Sequence, residues 1–297
     1  MTGPVAQARE FDVTAPDGRV IHAYEAGDPA GELVVVHHGT PGSGLLARSW
    51  ADDAASRGIR LVGFDRAGYA GSDRRADRRV ADVAADTAAI ADALGADRFR
   101  TWGTSGGGPH VLACASLLPD RVLAAASLAG VAPYDADGLE WQSGMGQANV
   151  EEFAAAIEGE PSLRGYLAAE REGILASTPE TIAAALESLL PPVDAELLTG
   201  DWARYLHAVS GHGLRNDVSG WLDDDLAFVR EWGFDLAAIS VPVLVRQGAL
   251  DLMVPMAHGR WLADRVPAAE VALSSDDGHL TLLEHIDRTH AWLMKHR

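Results

Sequence analysis

The sequence predicts an α/β protein with a mostly parallel central sheet, flanking helices and a helical cap inserted into the sheet domain. Short continuous apolar runs recur along the chain, as is typical of strands buried on both faces. Segments with helical spacing of apolar residues separate these runs, and such alternation builds a parallel sheet through right-handed crossovers. A long middle stretch contains no convincing apolar run of this kind, which indicates the insertion.

The first part of the chain supplies most of the predicted strands. Residues 9–14 and 20–25 flank a Pro16-Asp17-Gly18 turn, which favours a hairpin. The chain then continues into the apolar runs of the sheet. Buried strands are predicted at 33–37, 59–64, 99–103 and 122–128, and helices at 80–94 and 110–118.

The middle of the chain predicts the cap. Residues 133–236 hold Ala-, Glu- and Leu-rich stretches at helical spacing, interrupted by glycines and prolines. We therefore expect a core domain made of 1–132 and 237–297, with 133–236 as a helical cap. The return to the core predicts a strand at 241–247, a helix at 255–266, a strand at 270–274 and a closing amphipathic helix at 280–295.

Composition restricts the function classes. The 297 residues carry a formal net charge of −19, from 24 basic and 43 acidic side chains. Such a surface repels nucleic acid and anionic membranes, so we expect neither as a partner. No apolar run reaches the roughly 20 residues of a membrane span. Monomer and homodimer both stay open.

The number of cysteines and the sequence of the first residues predict the cellular compartment of the protein. Cys114 is the only cysteine, so no intrachain disulfide forms. Residues 1–11 lack the basic and apolar regions of a secretory leader. We expect a cytoplasmic protein, and the Ala-, Asp- and Arg-rich composition is typical of a GC-rich bacterial genome.

A candidate nucleophile lies between a predicted strand and a predicted helix. Gly103-Thr104-Ser105-Gly106-Gly107 matches the pattern G-x-S-x-G in the context that this turn requires. The serine occupies a strained turn, and glycines two positions away avoid collisions with neighbouring backbone. Ser105 is therefore the predicted nucleophile.

A second loop predicts an oxyanion hole. His38-Gly39-Thr40-Pro41-Gly42 follows the strand predicted at 33–37. In this position the backbone N–H of Thr40 points toward the same oxyanion as the N–H of Gly106, the residue after Ser105.

A serine nucleophile needs a base and an acid that orients the base. His279 is the histidine in the loop after the last predicted strand, and we expect its Nε2 within hydrogen-bonding reach of the Ser105 hydroxyl. Asp251 follows the strand predicted at 241–247, so it lies at the carboxyl edge of the sheet. The order Ser105, Asp251, His279 is that of this arrangement. Asp135, just after the strand predicted at 122–128, is the rival acid, and we favour Asp251.

Taken together, these motifs resemble the α/β-hydrolase superfamily, in the capped branch that includes proline iminopeptidases and many small esterases. The resemblance covers nearly the whole chain outside the cap and also rests on 65–72, Asp-Arg-Ala-Gly-Tyr-Ala-Gly-Ser. It implies acyl transfer through an acyl-enzyme on a Ser-His-Asp triad. Iminopeptidases usually carry glycine where this chain has Thr40, and glycine where it has Ala70, so the subfamily is not assigned.

The resemblance implies a mechanism but no substrate. We predict hydrolysis of a small, largely apolar ester, lactone or related acyl compound. The alternatives are an iminopeptidase, a cofactor-free biosynthetic enzyme with non-hydrolytic chemistry on the same triad, and a slow-turnover ligand sensor.

Residue types also predict the binding site. No cysteine or histidine cluster has zinc spacing and no phosphate-binding loop is present, so we expect neither metal nor cofactor, and a small molecule as the partner. The acids of the cap fall in polar helical stretches, which are typical of solvated faces and argue against binding of a free amine. The predicted pocket residues are His38, His110, Trp141, Met145, Trp202 and Tyr205.

Overall fold

The computed structural model describes residues 3–267 and 269–296, which contain one eight-stranded sheet. Its spatial order is β1-β2-β4-β3-β5-β6-β7-β8. Strands β1 and β2 run antiparallel to their neighbours and the other six are parallel, so the predicted fold class is confirmed. The strands are Arg9–Thr14 (β1), Val20–Gly27 (β2), Glu32–His37 (β3), Ile59–Phe64 (β4), Phe99–Thr104 (β5), Val122–Leu128 (β6), Val243–Gly248 (β7) and Ala269–Ser274 (β8).

Helices cover both faces of the sheet. One face packs against the helices Val83–Ala93 (α2), Gly107–Leu117 (α3) and Met256–Arg265 (α10). The other face packs against Arg48–Ser56 (α1), Thr281–Glu284 (α11) and Ile286–Leu293 (α12). Because both faces are covered, the central strands are apolar along their length, which is the pattern visible in the sequence.

Residues 133–236, called the helical insertion below, lie between β6 and β7 and contain helices but no strand. The described residues also contain three short 3₁₀ turns, at Val80–Asp82, Glu187–Leu189 and Leu236–Ala238. The last helix of the insertion is buried along its whole length. The helices are Gln147–Glu158 (α4), Glu160–Ala176 (α5), Ile182–Ala185 (α6), Pro192–Leu197 (α7), Gly200–Gly213 (α8) and Ser219–Phe228 (α9).

The closing helix differs from the prediction. A single helix at 280–295 is wrong, because α11 ends at Glu284 and α12 begins at Ile286. The side chain of the buried Arg246 donates to the backbone carbonyl of His285 at 2.8 Å. That carbonyl also accepts from the backbone N–H of Arg288 at 3.2 Å, so it bonds both to a side chain of the sheet and to the first turn of α12. No helix in the described part of the chain is long and apolar enough to cross a membrane.

Candidate active site

Ser105 lies on a sharp turn between β5 and α3. Its φ is +55°, a left-handed conformation that is rare for a residue with a side chain. A Cβ on Gly103 would lie 2.6 Å from the Gly107 carbonyl oxygen, and one on Gly107 would lie 2.2 Å from that of His37. Both glycines are therefore required by close backbone contact, and the turn presents Ser105 at the carboxyl edge of the sheet.

Two backbone N–H groups flank this turn. Thr40 lies beside Gly106, since a Cβ on Gly106 would be 2.2 Å from Thr40 Oγ1. Among the described residues, neither the Thr40 N–H nor the Gly106 N–H has a backbone acceptor outside helices and strands. Both residues line the same cavity as Ser105. Two unengaged donors at one cavity are what an oxyanion requires.

His279 and Asp251 are joined by a buried hydrogen bond. The distance from His279 Nδ1 to Asp251 Oδ2 is 2.8 Å. Asp251 also accepts from the Gln247 side chain and from the backbone N–H groups of Met253 and Val254. With Nδ1 engaged by Asp251, Nε2 of the imidazole is left for the Ser105 hydroxyl.

The expected contact between nucleophile and base is not formed. Ser105 and His279 both line the cavity, but no hydrogen bond joins their side chains among the described residues. Catalytic hydrogen bonds are often long in unliganded enzymes and tighten when substrate binds. The rival acid, Asp135, makes no hydrogen bond to His279 in the described structure.

Burial and charge act on His279 in opposite directions. Burial lowers the pKa of the imidazole, whereas the Asp251 carboxylate, with a smaller contribution from Asp194, raises it. The net result is a pKa above the ordinary histidine value. His279 therefore has the enhanced basicity of a general base.

The site opens into a cavity of about 400 Å³. Core loops form its floor, and helices of the insertion form much of its wall. The lining is mainly apolar and includes Phe153, Ile174, Leu186, Leu206, Phe228 and Met253.

The predicted pocket residues divide into two groups. His38, Met145 and Tyr205 line the cavity. His110, Trp141 and Trp202 do not, so these three predictions are wrong. His110 is fully buried on α3 with Nδ1 bonded to the Gly106 carbonyl, and the Trp141 indole donates to the Ala132 carbonyl. Trp202 packs against Trp50 and Tyr205 instead.

Two acids, Glu152, which the sequence interpretation assigned to a solvated face, and Asp225, lie in the cavity wall. Glu152 accepts from the Trp221 indole at 2.8 Å, and Asp225 beside it is fully buried. Neither carboxylate oxygen of Asp225 has a donor in the described structure. Burial raises the pKa of Glu152 to about 7, and burial together with the Glu152 charge also raises the pKa of Asp225.

A second buried aspartate of α9 holds the loop that contains Thr40. Asp224 accepts from the Thr40 hydroxyl at 2.7 Å and pairs with Arg66 and Arg78. Tyr69 also donates to it at 2.8 Å. The insertion is thereby joined to the loop whose N–H faces the cavity.

A fourth acid of the insertion, Asp194 on α7, contacts the His279 loop directly, and its carboxylate accepts from the backbone N–H of His279 at 2.6 Å. Reasoning from the sequence missed Asp194, Glu152, Asp224 and Asp225. For the last two, one signal exists: the run 223–225 is flanked by Trp-Leu and Leu-Ala-Phe, so the helix is apolar on every side and its acids need internal partners.

The described residues contain no group of three or more His, Cys, Asp or Glu side chains placed to hold a metal ion.

Comparison with known proteins agrees with this architecture. Residues 32–286 match the family described as alpha/beta hydrolase fold. The chain is 25% identical over 277 residues to a proline iminopeptidase of Neisseria gonorrhoeae, covering 84% of each chain. It is 29% identical over 251 residues to a non-heme chloroperoxidase of Streptomyces lividans, covering 82% of this chain and 83% of that one.

The solved structures show the same fold. A bromoperoxidase from Bacillus anthracis superposes with a TM-score of 0.71 at 20% identity, covering 97% of this chain and 100% of that one. Since the family match spans most of the sequence, the protein belongs to the α/β-hydrolase fold family, and it is an enzyme of that family.

Proposed function

We propose that the protein is a serine hydrolase that cleaves a small, largely apolar ester, lactone or related acyl compound. The observation that carries the proposal is that Ser105, on its strained turn, and His279, which is hydrogen-bonded to the buried Asp251, line the same cavity. A strained serine beside a histidine held by a buried carboxylate is the arrangement of acyl transfer.

The reaction proceeds in two steps. His279 Nε2 takes the hydroxyl proton as Ser105 Oγ attacks the substrate carbonyl, and the N–H groups of Thr40 and Gly106 donate to the oxyanion. The C–O bond to the leaving group then breaks as His279 returns the proton. Water, deprotonated by His279, hydrolyses the acyl-enzyme and releases Ser105.

The cavity supports the substrate class. Its volume of about 400 Å³ suits a small molecule, and its lining is mainly apolar. An acyl chain buried there removes apolar surface from water, which stabilises the complex by roughly 25 cal/mol for each Å² buried.

The test is an assay of purified protein against 4-nitrophenyl esters of increasing acyl length, with Ser105→Ala as the control. We expect turnover in the wild type and a loss of roughly 10⁶-fold in the variant. A folded wild type that turns over no ester, or a Ser105→Ala variant as active as the wild type, contradicts the proposal.

The acid pair favours a second candidate, an aminopeptidase of the iminopeptidase kind. Asp225 is buried next to Glu152 in the cavity wall, and no cationic side chain of the described residues forms a salt bridge with it. A buried charge without a partner is costly, and a substrate ammonium group would supply that partner. The sequence relatives that bear the name proline iminopeptidase support this candidate.

The second candidate is tested with proline 4-nitroanilide and its N-acetylated form. Binding of the free amine by ionised Glu152 and Asp225 predicts cleavage of the first compound only. We expect its KM to fall as pH rises through about 7, where Glu152 ionises. Asp225→Asn should raise that KM, whereas Glu172→Gln, an exposed acid of α5, should not. Equal cleavage of both compounds contradicts amine recognition.

A further inference from the structure

Asp194 makes an unusual set of contacts for an acid of the insertion. It is fully buried. Its carboxylate accepts from the backbone N–H groups of His279 at 2.6 Å, Leu280 at 3.1 Å and Thr281 at 2.8 Å, and from the Thr281 hydroxyl at 2.9 Å. All four donors belong to the loop and first turn that carry the candidate base.

The donors are neutral, and no cationic side chain of the described residues pairs with Asp194. A buried charge normally needs a cationic partner. Among the described residues, the Asp194 charge is compensated instead by three backbone N–H donors and one hydroxyl donor. Removing the carboxylate would leave three backbone N–H groups without an acceptor, those of the buried His279 and Leu280 and of the half-buried Thr281. The loop conformation at 279–281 therefore depends on Asp194.

Gly278, which precedes His279, leaves room for the Asp194 carboxylate. A Cβ on Gly278 would lie 2.3 Å from Asp194 Oδ2 and 2.7 Å from Oδ1. Only a residue without a side chain admits the carboxylate at this distance. The Gly278 N–H donates to the Thr281 hydroxyl at 2.7 Å, so the same turn closes around Asp194 from both sides.

Charge adds to the positional effect. The carboxylates that face the His279 imidazole are Asp251, after β7, and Asp194, from α7. On the loop of His279 itself Asp276 is exposed, and on α11 Glu284 is exposed, so both are screened by solvent. A second buried negative charge favours the imidazolium that forms as Ser105 loses its proton.

We propose that Asp194 is a positioning residue that fixes the backbone of the His279 base and couples the placement of the helical insertion to catalysis. This inference rests on the proposed function of Ser105 and His279. Because α7 belongs to the insertion, any displacement of α7 from the sheet moves the loop that carries the base. The cavity wall and the general base are therefore set by the same contact.

Two variants test the proposal, and a third is the matched control. Asp194→Asn keeps the shape and removes the charge and one acceptor. Gly278→Ala keeps the carboxylate and displaces it. Glu196→Gln removes a charge from the same helix at an exposed position. Each is compared with the wild type by thermal unfolding, by ester kinetics against pH, and by the rate at which an alkyl fluorophosphonate modifies Ser105.

For Asp194→Asn we expect kcat to fall roughly 10- to 100-fold, with KM changed by less than about 2-fold, because the base is misplaced while the cavity is retained. The acid limb of kcat/KM should move to lower pH, since one charge that raises the pKa of His279 is lost. Gly278→Ala should lower kcat with a smaller movement of the limb. Glu196→Gln should match the wild type in every measurement.

The inference is overturned if folded Asp194→Asn keeps the wild-type kcat and pH profile while the wild type reacts with the fluorophosphonate. If Asp194 has only a structural role, Asp194→Asn lowers the melting temperature without moving the acid limb of kcat/KM, and that result also overturns the inference. Failure of the proposed function looks different, because the wild type itself then reacts no faster with the fluorophosphonate than Ser105→Ala. If Asp194→Asn does not fold, Gly278→Ala carries the same comparison.

Discussion

Besides His279, Asp251 accepts from three donors, so the positions of both of its carboxylate oxygens are set by β7 and the loop that follows it. Replacing it with asparagine keeps the shape but allows the amide to donate, which reverses the tautomer of His279. We expect Asp251→Asn to lower kcat by roughly 10⁴-fold in ester hydrolysis, with the fold intact by circular dichroism. Asp276→Asn, exposed in the His279 loop, is the control and should leave kcat unchanged.

The raised pKa of His279 predicts the pH dependence of activity. A protonated imidazole cannot accept the Ser105 proton, so kcat/KM falls as pH drops through that pKa. For a neutral ester we expect the acid inflection above about 6.5, the ordinary histidine value. The profile is also measured in Glu152→Gln, because Glu152 itself titrates near 7. An inflection below the ordinary value in both proteins would contradict the assignment of His279 as the base.

The unpaired carboxylate of Asp225 predicts a gain in stability on its removal. Its pKa is higher in the folded than in the unfolded chain. The cost of burying its charge is absent while the acid is protonated, and that cost grows as pH rises from the unfolded pKa through the folded one. We expect Asp225→Asn to raise the free energy of unfolding by about 1–3 kcal/mol at pH 8 and by less at pH 5, measured by urea denaturation at both values. An equal gain at both values would contradict a titration origin.

The residues that follow strand ends could be predicted from sequence, and those of the insertion could not. Ser105, Asp251 and His279 each come directly after an apolar run, and parallel strands bring their carboxyl ends to one edge. Glu152 and Glu172 look alike in sequence, as acids in helical stretches. Only the packing of α4 against α9 separates the cavity residue from the exposed one.

At the scale of elements, the turn before α3 has no room for a side chain. Gly107→Ala places a Cβ 2.2 Å from the His37 carbonyl oxygen, and backbone cannot move aside cheaply. We expect a loss of about 3 kcal/mol in unfolding free energy, with a loss of esterase activity. Gly165→Ala is the matched control, since this glycine of α5 has open space around its Cβ and should stabilise by about 0.5–1 kcal/mol. Equal effects of the two substitutions would show that the close contact is absent.

The elements themselves were predicted where local pattern decides them. Buried strands such as β3 and β4 follow from continuous apolar runs. The break between α11 and α12 did not follow; at the break, the His285 carbonyl accepts from the Arg246 side chain, 39 residues away along the chain. A long-range hydrogen bond leaves no mark on helical periodicity.

For the whole molecule, the net charge of −19 predicts which substrates approach fastest. A negative field attracts cations and repels anions, and salt screens it over about 10 Å at 0.1 M. We expect kcat/KM for an ester with an ammonium group to fall between 20 mM and 500 mM NaCl, and that for an acidic ester of the same length to rise. A neutral ester is the internal control, and parallel responses of all three esters would refute the field argument.

The helical character of 133–236 was visible in composition, but its part in the site was not. Spacing identifies helices, whereas the direction in which each helix faces depends on how the insertion folds back over β3, β5 and the last loops. Trp141 illustrates this: an aromatic residue of the insertion could line the cavity or fill the core, and it fills the core.

The buried contacts of Asp194 and Asp224 also have a consequence for protein engineering. Segments placed over an active site are attractive targets for exchange between relatives, in order to transfer substrate preference. Here such an exchange would remove the acceptor for the turn around Gly278 and the anion that balances Arg66 and Arg78. A functional chimera must therefore take the aspartates of a relative together with the loop glycine and the arginines that contact them in that relative.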